Sequence, residues 1–315
     1  MIGVGIIGCS GLRATELIRI LINHPDVELR WVSDVAHAGM RLDRIVPGIV
    51  GESDLAVVPQ GDLEEVDLVY LIGSRDKVEL WLRSAMMPVD LRIIDLSGFH
   101  NLDCGTEGKW TYGLSEMQRR VLVHDARWVT VPGAAAAASL LTVMPLARNQ
   151  LLGSGLALHV SVGTAVCQAA GLDGVIDTWT DEQEREVRHA LRQCQPGFSQ
   201  PVSLAVDVND DRRLVTVEAR FKVDTDLDAL RSLYQQYYED HNFVFLMDRA
   251  MGPADVENTN KCLLRLSHDE ASGEMTVTGV MDGLLKGGVG NAVHSMNLMF
   301  GLYECIGLML KASGC

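Results

Sequence analysis

Several things are scarce in this 315-residue chain, and each scarcity closes a route. Its seven cysteines, Cys9, Cys104, Cys167, Cys194, Cys262, Cys305 and Cys315, form no CxxC pair and are odd in number. That removes a metal-knuckle pattern, argues against a disulfide framework and points to a reducing cytoplasm, so no metal is expected. Basic residues are few, with Lys+Arg 27 against Asp+Glu 42 and a net charge of −15. A chain so acidic lacks the footprint for nucleic acid or for an anionic membrane surface. Uncharged stretches long enough to span a bilayer are interrupted, 128–147 by Pro132-Gly133 and Pro145, and 151–172 by Gly153, Gly155, His159 and Gly163. The start, 1–7, runs straight into Gly8 and Arg13 without a basic segment or an apolar run of secretory length, so no signal or transit peptide is expected. Repeats, low-complexity tracts and Pro/Ser-rich linkers are absent too. What remains, 47% apolar and 22% charged, is a globular composition.

At the loose prior of about 150 residues per domain, the length suggests two domains. The first half alternates short β-branched runs with helical stretches, the mark of parallel βαβ units. Strands are predicted at 2–7, 28–33, 66–72, 91–96 and 128–131. A helix is predicted over 14–23, with Leu17, Ile18, Leu21 and Ile22 on one face and a stop at His24-Pro25. The expected class is α/β, with an N-terminal Rossmann-like doubly wound parallel sheet. After residue 150 the strands alternate in polarity, at 156–162, 202–208, 214–221, 262–267 and 274–280, between amphipathic helices over 182–193 and 227–240. This half reads as an α+β domain with a large mixed or antiparallel sheet, and 292–310 returns to helix.

Gly5-Ile6-Ile7-Gly8-Cys9-Ser10-Gly11 ends the first strand and opens the first helix. Glycines there let a pyrophosphate approach the positive helix N-terminus, although the spacing is not GxGxxG and a tight turn without a ligand is the other reading. Gly8, Ser10, Gly11 and Leu12 are the candidate cofactor contacts of this turn. Asp34 follows Ser33 at the end of the second strand, where a dinucleotide fold sets a carboxylate against ribose hydroxyls. It would repel the 2′-phosphate of NADP, and a solvated turn aspartate is the alternative. In Val131-Pro132-Gly133-Ala134 a strand ends, the chain turns and an alanine-rich helix begins, placing Ala134 where a nucleophile of lowered pKa would stand. An alanine cannot be that nucleophile.

Several stretches in order resemble the N-acetyl-γ-glutamyl-phosphate reductases, relatives of aspartate-semialdehyde dehydrogenase. They are Gly8-Cys9-Ser10-Gly11 through Glu16-Leu17-Ile18-Arg19, Asp95-Leu96-Ser97, Tyr112-Gly113-Leu114-Ser115-Glu116, Pro132-Gly133, Asn258-Thr259-Asn260 and Leu285-Lys286-Gly287-Gly288. Gly290-Asn291-Ala292-Val293 and Met296-Asn297-Leu298-Met299-Phe300-Gly301-Leu302 complete the set. The resemblance implies a dinucleotide domain of 1–133 plus 290–315, with NADP or NAD as cofactor, and a catalytic and dimerisation domain of 134–289. A C-terminal helix would return to the first domain. It implies cofactor contacts at Gly8, Ser10, Gly11, Leu12, Ser33, Asp34, Ser97 and Asn291, and substrate contacts at Arg212 and Ser161. It also implies an amino-acid-derived substrate of arginine-type biosynthesis and a homodimer or homotetramer. In the family a cysteine thiolate attacks an acyl phosphate, phosphate leaves, and NADPH reduces the thioester to a semialdehyde while a histidine moves protons.

The chain departs from that pattern where the chemistry sits. The catalytic positions fall on Ala134, in place of the cysteine, and on Gln183, in place of a histidine within Asp181-Glu182-Gln183. The family's histidine-glycine falls within Gly73-Ser74-Arg75-Asp76, and its basic residue after the second strand is Asp34. Among other residues, Cys167 is the candidate for a displaced thiol, whereas Cys9 reads as a filler and His189 and His294 as solvated helix histidines. Three readings stay open: a reductase whose nucleophile was replaced by alanine, a degenerate relative acting as a regulatory or assembly partner, and a scaffold reused for a non-covalent reaction on an amino-acid-derived substrate.

Overall fold

The computed structural model describes residues 1–104, 108–171 and 176–313; Cys315 and the end of the uncharged stretch 151–172 lie outside them. The chain forms two compact units, Met1–Pro132 with Gly288–Met309, and Gly133–Gly287 with the tail from Leu310.

In the first unit the chain runs through β1 (Ile2–Ile7), α1 (Leu12–Leu21), β2 (Val27–Ser33), α2 (Leu42–Ile45), β3 (Leu68–Leu71), α3 (Arg75–Ser84), β4 (Arg92–Asp95), β5 (Trp110–Tyr112), α4 (Ser115–His124) and β6 (Trp128–Thr130). The six strands form a parallel sheet in the order β2-β1-β3-β4-β6-β5. Its central strands are buried apolar runs, as a sheet covered on both faces requires. The helix predicted over 14–23 starts at Leu12 instead, directly after Gly11, and buries Ala14, Leu17, Ile18 and Leu21 on one face. β5 escaped prediction because three residues carry no readable period; Trp110 stacks on His100 at 3.9 Å and meets Trp128 edge-on.

The second unit begins with α5 (Ala134–Arg148) and continues through β7 (Leu156–Gly163), α6 (Thr164–Ala170), α7 (Ile176–Cys194), β8 (Val202–Asn209), β9 (Leu214–Phe221), α8 (Leu227–Tyr238), β10 (Val244–Leu246), α9 (Pro253–Val256), β11 (Cys262–Asp269) and β12 (Glu274–Asp282). Its sheet, in the order β10-β11-β12-β9-β7-β8, is mixed, with antiparallel pairs at its centre and parallel pairs at both edges. α5 lies against this sheet, buried from Ala134 to Ala147. A Cβ on Gly279 of β12 would come within 2.7 Å of Thr142, so the close approach needs glycine there. Pro145 inside α5 has no N–H to offer the carbonyl of Leu141. Tyr238 supplies it, donating its hydroxyl to Leu141 O at 2.5 Å, while Tyr234 donates to Thr142 O.

α10 (Gly290–Met299) belongs to the first unit, packed against α4. The helix expected over 292–310 stops at Met299 because Gly301 takes a left-handed φ of +67° and Leu302 N–H bonds back to Asn297 O at 2.8 Å. The tail beyond Met309 was assigned to the first domain from sequence; it joins the second unit instead, where Ser313 N–H donates to Glu257 O and its hydroxyl meets the Asn258 side chain. Among the described residues no helix is long and apolar enough to cross a membrane.

Candidate functional site

The carboxyl ends of β1 and β2 meet in the first unit, where Gly8 N–H donates to Ser33 O at 2.8 Å. The glycines of this turn divide their work. Gly5 makes room for the Trp31 ring, which a Cβ would meet at 2.3 Å, so it serves packing. Gly8 combines φ +95° with a Cβ position 1.9 Å from Ile72 O, and only glycine fits. Gly11 has φ +89° but open space around it. It is the N-cap of α1 and offers no side-chain cap, and the first turn of that helix holds no acidic residue. Ser10 and Gly11, just ahead of the leading amides of α1, are both exposed, and Leu12 is half-buried beside them. An uncapped helix N-terminus behind a glycine turn can receive an anion.

Asp34 follows β2 and caps a short turn, accepting from Ala36 N–H at 2.9 Å through Oδ1. Burial opposes its charge, but the Ala36 amide, the His37 ring and Cys9 outweigh it and hold the carboxyl below its ordinary range. Ser33, by contrast, is buried and donates its hydroxyl to Pro59 O at 3.2 Å. Near the end of β4, Arg13 donates to Leu96 O at 2.9 Å, and Ser97 takes up Asp95 Oδ1 through its N–H and Phe99 N–H through its hydroxyl. Asp95 is fully buried and bonds His100 Nδ1 at 2.9 Å. Asn291 is buried in the first turn of α10.

The second unit contains the other predicted constellation. Ala134 opens α5 with 5% of its surface exposed, and a Cβ on Gly287 would lie 3.0 Å from its methyl group. Gln183 and Glu186, one turn apart on the buried face of α7, close this helix end. Glu186 accepts from Gly133 N–H at 3.0 Å, Gln183 Oε1 accepts from Ala136 N–H at 3.1 Å, and Gln183 Nε2 donates to Glu186 Oε2 at 3.2 Å. Two amides at the positive end of α5, those of Gly133 and Ala136, are therefore taken by the protein's own acceptors. Glu186 was missed as a functional residue from sequence, although a carboxylate three residues from Gln183 on the apolar face of α7 was a readable signal.

The remaining predicted residues do not converge on Ala134 through any observed bond. Ser161 on β7 donates to Asp207 at 2.8 Å and accepts from Asn209 at 3.1 Å, in a polar row that includes His159. Arg212 is exposed, and only its backbone is engaged, its carbonyl accepting from Ala165 N–H. Its neighbour Arg213 instead makes the buried ion pair, Nε to Asp282 at 2.7 Å, with Asp282 also accepting from Asn258, Leu284 and Leu285 N–H. Burial pushes the Cys167 thiol up, and burial together with Asp34 pushes Cys9 up to about 12, so neither is a ready thiolate. His294 overturns its reading as a solvated helix histidine: it is buried in the first unit, Nδ1 at 3.1 Å from Ser115 Oγ and Nε2 at 2.7 Å from Glu304, itself paired with Arg119. The acidic partner comes from beyond the helix end, which a helical wheel cannot show.

A parallel sheet with a glycine turn at its first strand, together with a mixed-sheet unit, is a fold shared with solved semialdehyde dehydrogenases. Residues 3–124 match the family model described as the semialdehyde dehydrogenase NAD binding domain, and residues 180–283 match that of its dimerisation domain. Among solved structures, an aspartate semialdehyde dehydrogenase II from Vibrio cholerae aligns with TM-score 0.74 at 13% identity, covering 96% of this chain and 99% of that one. The Candida albicans aspartate semialdehyde dehydrogenase solved with NADP aligns with TM-score 0.72 at 12% identity, covering 95% and 98%. Among curated proteins, the N-acetyl-gamma-glutamyl-phosphate reductases of Parabacteroides distasonis and Phocaeicola vulgatus are 32% and 33% identical, each over 99% of both chains. The chain belongs to the N-acetyl-gamma-glutamyl-phosphate reductase family.

Proposed function

We propose that this family member keeps the dinucleotide site and has lost the covalent route to a semialdehyde. The observation that carries the reading is the closure around Ala134: no thiol stands at the head of α5, and Glu186 and Gln183 take up the Gly133 and Ala136 amides on either side of it. A carboxylate at that point also repels a second anion, so an acyl phosphate meets an acceptor where it needs a donor. Gln183 moves no proton between bulk water and a substrate, because its amide has no acid–base range near neutrality.

The residues of the first unit fit a dinucleotide. Gly8, Ser10, Gly11 and Leu12 present backbone to a pyrophosphate, Asp34 stands for the ribose hydroxyls and disfavours a 2′-phosphate, and Ser97 and Asn291 complete the set. A nicotinamide dinucleotide supplies hydride exchange when bound. With no covalent acceptor, any such exchange takes place directly on an amino-acid-derived substrate, for which exposed Arg212 offers a carboxylate contact, whereas the Ser161 hydroxyl is already engaged by Asp207 and Asn209. The match of residues 180–283 to a dimerisation domain supports assembly as a homodimer or homotetramer. It equally favours a second reading, in which the chain pairs with a catalytic relative as an assembly partner.

The test is a side-by-side assay with the Parabacteroides distasonis relative, following phosphate-dependent reduction of NAD or NADP by N-acetylglutamate semialdehyde. The relative is expected to turn over and this chain to give no rate above the enzyme-free control. Turnover by this chain within about tenfold of the relative, a gap of only about 1.4 kcal/mol in barrier, overturns the reading.

A further inference from the structure

One cluster beside the glycine turn combines a thiol, a carboxylate and an imidazole, of which only the carboxylate has been given a role. Cys9 on the turn, Asp34 after β2 and His37 in the short turn that Asp34 caps bring Sγ, a carboxylate oxygen and Nδ1 within 4.8 Å of one another. Two of the separations are specific: Cys9 Sγ lies 3.5 Å from Asp34 Oδ2, and His37 Nδ1 lies 3.4 Å from Asp34 Oδ1. A tetrahedral zinc centre, with bonds of about 2.3 Å to sulfur and about 2.1 Å to nitrogen or oxygen, sets ligand–ligand edges of about 3.4–3.6 Å, and since the two contacts fall on different Asp34 oxygens, one oxygen must serve both edges when an ion binds. His37 Nδ1 is itself buried and approaches Asp34 Oδ1 at 3.4 Å without a well-formed hydrogen bond, so the ring nitrogen is only weakly used where it stands.

We infer that Cys9, Asp34 and His37 form a binding site for one thiophilic divalent cation of the zinc type. Sulfur and imidazole nitrogen select such an ion over magnesium or calcium, which demand oxygen ligands. The carboxylate is already oriented by the Ala36 amide, which serves as its outer support. Asp34 and His37 keep 16% and 31% of their side chains exposed, giving the ion a way in and a fourth position that water fills. On binding, the Cys9 S–H bond breaks, the S–metal bond forms and the proton leaves to the buffer. Cys9 and Asp34 are 25 residues apart, which is why no short cysteine motif announced the site. Because Asp34 also belongs to the proposed dinucleotide site, ion and dinucleotide exclude each other, yet the ion site stands without that reading.

The test is titration of the full chain, stripped with chelator, with cobalt(II) as the spectroscopic probe. The expected result is a sulfur-to-cobalt charge-transfer band with visible bands of tetrahedral intensity, saturating at one ion per chain and bleached by zinc. One proton per ion is released into weakly buffered solution. Cys9→Ser is expected to lose the charge-transfer band, and His37→Ala to weaken binding at least about tenfold. Absence of the band in the unmodified chain overturns the inference without reference to any variant. So does a band that survives unchanged in Cys9→Ser, because another thiol then holds the ion. Failure of NAD to displace cobalt counts against the dinucleotide reading alone.

Discussion

The helices α1, behind Gly11, and α5, behind Gly133, both begin directly after a glycine, and their ends are finished in opposite ways. At α1 no side chain caps the amides, and the space around Gly11 is open. At α5 the amides of Gly133 and Ala136 are taken by Glu186 and Gln183, so closely that a Cβ on Gly133 would lie 2.2 Å from Gln183. The same local electrostatics, a positive helix end, is held available in one place and spent internally in the other. A helix N-terminus becomes a reactive site only if the fold declines to cap it.

The largest expected effect breaks the closed end. Glu186→Ala leaves the Gly133 N–H and the Gln183 amide without their acceptor in a buried setting, and should lower stability in urea unfolding by about 3 kcal/mol. Ser10→Ala at the open end should stay within about 0.5 kcal/mol, as for an exposed residue with no cap to lose. Equal costs at the two ends would erase the contrast between them.

A smaller effect sharpens the open end. Asp34→Asn keeps the oxygen that caps Ala36 and removes the charge, so NADP binding should improve relative to NAD by about tenfold, or about 1.4 kcal/mol, in parallel titrations. An unchanged ratio would take the ribose role away from Asp34.

A third prediction uses pH. His24 is buried, its Nε2 at 3.1 Å from Asn297, and burial holds it below its ordinary value of 6.5. The unfolded chain therefore takes up a proton first, so stability is full above pH 6.5 and falls as the pH drops toward the folded-state value. The slope is at most about 1.4 kcal/mol per pH unit for this one group. His24→Gln should remove that part of the slope in denaturation curves taken from pH 7 to 5.

The smallest expected effect is nearly none. In Ala134→Cys the new thiol is buried near the Glu186 carboxylate, with the Gly133 and Ala136 amides already taken, so its alkylation rate against pH should show a thiol titrating at or above the ordinary value of about 8.5. Titration several units lower would show that the closed end still stabilises an anion.

Much of the fold was legible because it rests on periodicity and punctuation. The strand at Ile2–Ile7, the strand at Leu214–Phe221 and the passage from a parallel to a mixed sheet followed from apolar pattern alone. The helix starting at Leu12 and the one ending at Met299 were displaced by left-handed glycines at 11 and 301, whose backbone angles composition does not reveal. At the candidate site, the absence of a thiol at Ala134 and of a histidine at Gln183 could be read directly. The pairing of Glu186 with the Gly133 amide, the burial of His294 against Glu304 and the meeting of His37 with Cys9 could not, since each joins residues distant in sequence or across a helix end. Long-range polar pairings depend on register and packing, which leave no local signature.

The most direct measurement is calorimetric titration of the full chain with NAD and with NADP under identical salt and pH. A saturable heat with NAD, at one site per chain and with weaker binding of NADP, is the expected result. No saturable heat with either dinucleotide would contradict an open receiving end at α1, and tighter binding of NADP would contradict the part given to Asp34.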